Sequence, residues 1–163
     1  MYKATRDFIN ARKKHTESPL RLPSGVKKLG TGLPGQCLKN SKTFSKEQKE
    51  LGNEVTMISG WIVHPYNKVS ESTEIIQHWW NSDAKGNNFD TTPYVTNELE
   101  YVIDFDINNY AYTNSDILES HVGMSLLYKD GKFFLLKNPQ IMEFEEIKEL
   151  KTELFFKYIK SIQ

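Results

Sequence analysis

The stretch from Thr73 to Thr92 commits this chain to a β-hairpin. Thr73 to Asn81 alternates with period two, which puts Ile76, His78 and Trp80 on one face and Ile75, Gln77 and Trp79 on the other. Asp83-Ala84-Lys85-Gly86 is a turn signal ending in glycine, of the kind that closes a three-residue loop with a bulge, and Phe89 to Thr92 is the return strand. The loop length decides the chemistry. With three loop residues, paired positions sum to an even number, so His78 and Asp90 share a face, opposite or one diagonal step apart, roughly 5 to 8 Å between Cβ atoms. A two-residue loop would put them on opposite faces and separate imidazole from carboxylate.

Upstream lies the only cysteine, Cys37. From Gln36 to Leu51 the spacing predicts a helix, with Cys37, Leu38, Ser41, Phe44 and Leu51 near one face and Gly52 as its C-terminal cap. Lys42, Lys46, Gln48 and Lys49 take the wet side. Cys37 therefore falls in the first turn, where unpaired N–H groups and the helix dipole favour a thiolate. A lone cysteine forms no intramolecular disulfide, which fits a reducing, cytoplasmic setting.

The rest of the chain frames this pair of elements. A chain of 163 residues makes a single domain, 1–163, with a core of its own. Its 21 basic residues balance 21 acidic ones, so neither nucleic acid nor an anionic membrane is implied as a partner. No apolar run approaches the ~18 residues of a spanning helix, and Met1 to Asn10 lacks the apolar core of a secretory signal. Thr5 to Lys14 reads as a short basic helix, and Ser18 to Gly35 as a loop with Lys27 and Lys28 in solvent. Val55 to Val63 reads as a buried strand, and Tyr101 to Phe105 as another. Asn108 to Asn114 reads as loop, and Gly123 to Leu136 as a hairpin around Lys129-Asp130-Gly131-Lys132. Phe144, Ile147, Leu150, Leu154, Tyr158 and Ile162 predict an amphipathic C-terminal helix. The fold class is α+β, with helices segregated against an antiparallel sheet.

One thiol, one imidazole and one carboxylate, in that order, suit cysteine acyl transfer. A thiol attacks a carbonyl only as the thiolate, so it needs a base beside it, and a carboxylate holds that base in the useful tautomer. Cys37 is then the nucleophile, His78 the base and Asp90 the orienting group. The backbone N–H of Cys37 is the natural first donor to the oxyanion, with the Gln36 side chain or an indole of Trp61 or Trp80 as candidates for the second. Trp61, Trp79 and Trp80 otherwise read as core or cleft walls. His15, His64 and His121 show no ligand spacing, so no zinc site and no cofactor is expected, and Asp104 and Asp106 read as surface or loop-edge charges.

Gly35-Gln36-Cys37, then Phe44, Leu51-Gly52 and Gly60, resembles the cysteine helix and following strand of the transglutaminase-like family. His78-x-Trp80-Asn81 through Gly86 to Asp90-x-Thr92-Pro93 is similar to that family's His and Asp strands. The resemblance spans about residues 35–93. It implies a papain-like core with a Cys-His-Asp triad, used for transglutamination, deamidation, peptide cleavage or glycan–amide cleavage. Leu38 stands where many relatives carry an aromatic residue, and Gly52-Asn53-Glu54 replaces the family's Gly-hydrophobe-Pro run. These departures bear on the substrate, for which a protein or peptide amide is expected. The contrasting expectation is a papain-like module without catalysis, a binding, inhibitor or host-interaction protein using the same cleft.

Overall fold

The computed structural model describes residues 1–94, 96–113, 124–138 and 140–156. Among the described residues three helices, α1 (Lys3–Arg12), α2 (Cys37–Glu50) and α3 (Phe105–Thr113), accompany eight strands. The strands are β1 (Val26–Lys28), β2 (Val55–Val63), β3 (Thr73–Asp83), β4 (Asn88–Asp90), β5 (Glu100–Ile103), β6 (Ser125–Lys129), β7 (Lys132–Asn138) and β8 (Glu143–Ile147). They form one mixed sheet in an α+β fold. The expectation of a purely antiparallel sheet is corrected by β1, which runs parallel to β4 with Lys28 in register with Asp90. Lys28 therefore ends a strand, its Nζ buried without a hydrogen-bond partner, rather than lying in solvated loop.

The long strand β3 organises the sheet. One of its edges pairs with the whole of β2, from Val55↔Asp83 to Val63↔Ile75. Its other edge is shared: β6 takes residues 73–76 and β4 takes Asn81 and Ser82. Among the described residues, β6 and β4 leave a gap between them beside residues 78–80. Backbone N–H groups alternate between edges in an antiparallel ladder. The Gln77 N–H reaches Met124 O across this edge (2.8 Å), so the Trp79 N–H points into the gap.

All three helices pack on the face that carries Trp61, Val63, Ile75 and Trp79. Phe8 of α1 meets Trp61 edge-on at 5.1 Å, and Leu38, Ile107 and Ala111 join the same core. A smaller cluster of Ile58, Ile62, Trp80, Tyr101 and Ile103 fills part of the opposite face, packed by Val26, Tyr94 and Leu99 from the flanking segments. Gly60 lies where no side chain fits. An added Cβ would stand 1.9 Å from Val102 O and 2.8 Å from the Trp80 ring.

Asp104 corrects another expectation, since it is fully buried. Arg12 Nε donates to its Oδ2 (2.9 Å), and Trp61 Nε1 donates to the same oxygen (2.9 Å). Arg12 Nη1 and Nη2 reach on to Leu150 O and Thr152 Oγ1 at 2.8 and 2.7 Å, tying α1 to the C-terminal segment. The burial cost of the two charges is met because nearly every donor is used. Asp106 is likewise committed, accepting from the Glu17 and Ser18 N–H groups at 2.7 and 2.9 Å.

Two expected elements differ. Residues 105–113 form α3, not loop, started by Asp104, whose Oδ1 accepts the Ile107 N–H. The described part of the C-terminal stripe is not an α-helix: Glu143–Ile147 is β8, paired with β7, and Thr152–Phe156 is a 3₁₀ turn. Tyr158 and Ile162 lie outside the described residues, as does His121. Among the described residues no helix is long and apolar enough to cross a membrane.

Candidate functional site

The hairpin closes as its turn signal dictates. Asp83 N–H donates to Asn87 O (3.0 Å), leaving Ala84, Lys85 and Gly86 as a three-residue loop. Gly86 supplies the left-handed φ of +81° that this loop requires. The Asp83 carboxylate caps it, accepting from the N–H groups of Lys85 and Asn87, both at 2.9 Å. The register is Asn81↔Phe89 and Ser82↔Asn88, so the paired numbers sum to an even value. Continued by one step, it sets Asp90 opposite Trp80 and diagonal to His78. Imidazole and carboxylate share a face, and His78 Nε2 lies 2.8 Å from Asp90 Oδ2.

Asp90 is held from three sides. Its Oδ2 also accepts the Tyr101 hydroxyl (2.7 Å), and its Oδ1 accepts the Thr92 N–H (3.0 Å). The carboxylate thus both orients His78 and caps the turn that follows it. His78 is fully buried in an aromatic box, stacked on Trp80 (6.0 Å, 22°) and meeting Tyr94 edge-on at 5.4 Å.

Cys37 arrives from the other face of the sheet. Helix α2 begins at Cys37, with Gln36 as its N-cap residue. It ends in a Schellman motif, in which Gly52 N–H bonds Lys49 O (3.0 Å) and Asn53 N–H bonds Gln48 O (2.8 Å). Leu51 is solvent-exposed at 73%, so the apolar face expected to run to that residue stops short of it. The helix start is pinned to the hairpin by two buried asparagines. Asn40 Oδ1 accepts from Leu33 N–H (2.9 Å), and its Nδ2 donates to Leu33 O (2.8 Å) and Thr92 Oγ1 (3.1 Å). Asn81 Nδ2 donates to Ser41 O (3.0 Å), which docks the helix on β3.

This docking puts the Cys37 sulfur in the gap along β3. There it accepts hydrogen bonds from the Trp79 and Leu38 N–H groups and meets the His78 ring. Burial pushes the Cys37 thiol up, but the His78 hydrogen bond and charge, together with those two N–H groups, outweigh it and hold the thiol below its ordinary value. Burial likewise pushes His78 down, yet the bonds and charges of Asp90 and Cys37 prevail and raise it to about 9. Both effects favour a thiolate–imidazolium pair near neutral pH.

Two tyrosines that the sequence reading did not single out complete the arrangement. The Tyr94 hydroxyl stands 3.1 Å from His78 Nδ1, the nitrogen not used by Asp90. When charged, His78 donates from Nδ1 to the Tyr94 oxygen, and its ring also hydrogen-bonds the Cys37 sulfur. Burial first, then the charges of Cys37 and Asp90, raise the Tyr94 phenol, and burial with Asp90 raises that of Tyr101, so both stay protonated. The one available signal for Tyr94 was its place four residues after Asp90.

The indole candidates for the oxyanion are corrected. Trp61 and Trp80 are fully buried and their N–H groups are taken, by Asp104 for Trp61 (2.9 Å) and by Asn88 Oδ1 for Trp80 (3.0 Å). Gln36 is exposed beside Cys37 and makes no capping hydrogen bond. Among the described residues no group of three or more His, Cys, Asp or Glu side chains is placed to hold a metal ion. No protein-family model, no curated protein and no solved structure matches this chain.

Proposed function

We propose that the chain is a cysteine-dependent acyl-transfer enzyme with a papain-like, transglutaminase-like core, acting on an amide. What carries this reading is the continuous line Asp90–His78–Cys37, with the thiol lowered and the imidazole raised. The Cys37 thiolate attacks the substrate carbonyl, forming a C–S bond while the carbonyl oxygen takes up the negative charge. The Cys37 N–H at the open start of α2 donates to that oxyanion, and the uncommitted Gln36 side chain is the remaining candidate beside it. As the tetrahedral centre collapses, the C–N bond breaks and His78 gives its Nδ1 proton to the leaving amine. Water or a second amine then loses a proton to His78 and attacks the thioester, releasing Cys37. Asp90 stays ionised and keeps Nδ1 turned towards the sulfur. Hydrolase, peptidase, deamidase and transglutaminase chemistries all follow this course and differ in the acceptor.

The test is alkylation by iodoacetamide across pH, compared with His78→Ala. Cys37 is expected to react at neutral pH well above the rate of a free thiol, and to lose that advantage without His78. Labelling at the ordinary rate, indifferent to His78, would sink the reading. One observation favours a second reading, a binding module with no catalysis: the Tyr94 hydroxyl already occupies the Nδ1 side of His78. On that reading, Cys37→Ala leaves the biological effect intact.

A further inference from the structure

The face of the sheet that carries His78 is not covered by any described helix, and it holds a cavity of about 550 Å³ at the β3 end opposite the hairpin loop. Its walls include His64, Tyr66, Glu74, Thr96, Met142 and Phe144. Strand periodicity links it to the triad, because Glu74 precedes His78 by four residues on the same face, about 13 Å at the usual strand rise. The Tyr94 ring bridges the interval, 6.2 Å from His64 on one side and 5.4 Å from His78 on the other.

The lining has one sign of charge. Among the described residues Glu74 is the one acidic or basic side chain of the lining besides His64, which burial lowers and keeps neutral. Glu74 Oε1 accepts the Ser125 hydroxyl (2.9 Å), which fixes the carboxylate against the sheet. His64 Nε2 is buried with no hydrogen-bond partner, a polar atom whose desolvation nothing in the protein offsets. At the rim, Tyr66 and Met142 expose 59% and 63% of their surface, and Phe144 is half-buried. A carboxylate set among two aromatic rings and a thioether suits an organic cation, by charge and by cation–π attraction.

We propose that this cavity is a specificity subsite for a basic side chain, lysine or arginine, of a peptide whose reacting carbonyl lies at Cys37. The proposal rests on the acyl-transfer reading above. The aliphatic stem lies along Tyr66, Met142 and Phe144, the cationic head meets Glu74, and His64 Nε2 bonds the peptide backbone or the head's solvent. The interval of about 13 Å corresponds to about four extended residues at 3.3–3.6 Å each, part of it spanned by the basic side chain itself, so the basic residue lies one or two positions from the carbonyl.

The test uses the full chain and electrophilic peptides that alkylate its single thiol. Chloroacetyl-X-amides and chloroacetyl-glycyl-X-amides are compared, with X lysine, norleucine or glutamate, and labelling is followed by intact mass. In at least one series lysine is expected to react about tenfold faster than norleucine, with glutamate slowest, and Glu74→Gln is expected to bring the lysine-to-norleucine ratio close to one. A ratio near one in the unaltered protein, or one that survives Glu74→Gln, overturns the subsite. Iodoacetamide separates the two ideas. If it labels Cys37 rapidly while lysine gives no advantage, the subsite alone fails. If it labels Cys37 no faster than a free thiol, the acyl-transfer reading fails and the subsite falls with it.

Discussion

Replacing Asp90 by asparagine tests the electrostatic core of the site. The change keeps the shape of the side chain and removes its charge. His78 is fully buried, so on its own it would prefer to be neutral, and Asp90 is the foremost of the groups that raise it from 6.5 to about 9. At 1.36 kcal/mol per tenfold change, that interval corresponds to about 3 kcal/mol in favour of the imidazolium. Cys37 supplies part of it, so loss of the Asp90 charge is expected to weaken the thiolate–imidazolium pair by on the order of 10- to 100-fold. The assay is the rate of iodoacetamide labelling at neutral pH, read without ambiguity because the chain has one cysteine. The rate should fall by that factor, and the rise of the pH profile should move to higher pH. NMR titration of the His78 ring is expected to show a midpoint about one to two pH units lower than in the unaltered protein. The stability linkage has a definite sign. A raised His78 contributes fully below 6.5 and loses its contribution as pH rises through about 9, so the unaltered protein should show that slope and Asp90→Asn a weaker one that ends at lower pH. An unchanged labelling rate, or a ring still titrating near 9, would refute the assignment of Asp90.

Tyr94→Phe leaves the Nδ1 donor of His78 to Cys37 alone; thiolate absorbance should then persist about half to one pH unit lower, and an upward shift would show that the hydroxyl supports the thiolate instead of competing for the ring. Gly60→Ala forces a Cβ against Val102 O and the Trp80 ring, with an expected loss of about 3 kcal/mol or failure to fold; a urea midpoint within error of the parent contradicts the packing. Arg12→Met strands a buried Asp104 and should cost about 3–5 kcal/mol in urea unfolding, whereas Arg12→Met combined with Asp104→Leu should cost less, and equal costs would argue against a coupled pair.

Much of this arrangement is local and could be read from residue order. The period of two in β3, the odd-length loop closed by Gly86 and the glycine that ends α2 are short-range consequences of sterics and backbone hydrogen bonding. They were enough to set His78 and Asp90 on one face and Cys37 in the first turn of a helix. The same logic misled at the C-terminus, where Phe144, Ile147 and Leu150 fit a helical stripe. Pairing of β8 with the open edge of β7 outweighed the propensity of a Glu- and Lys-rich segment. Three residues of β1 are too few to show a period, and their parallel partner lies about sixty residues away, a separation taken from the register of Val26 with Asn88.

What only the tertiary structure decided is which groups Cys37, His78 and Asp90 meet. Sequence periodicity assigns a residue to a face of a strand but says nothing about which strand borders which edge. That β6 and β4 divide one edge of β3 and, among the described residues, leave a gap between them is a non-local outcome, yet it lets a thiol from the helix face reach an imidazole on the other. The indoles of Trp61 and Trp80 were already satisfied by Asp104 and Asn88, partners too distant or too unremarkable in sequence to predict. Tyr94 and Tyr101 reached His78 and Asp90 because burial requires each polar group to find a partner, and only the folded chain determines which partner is near.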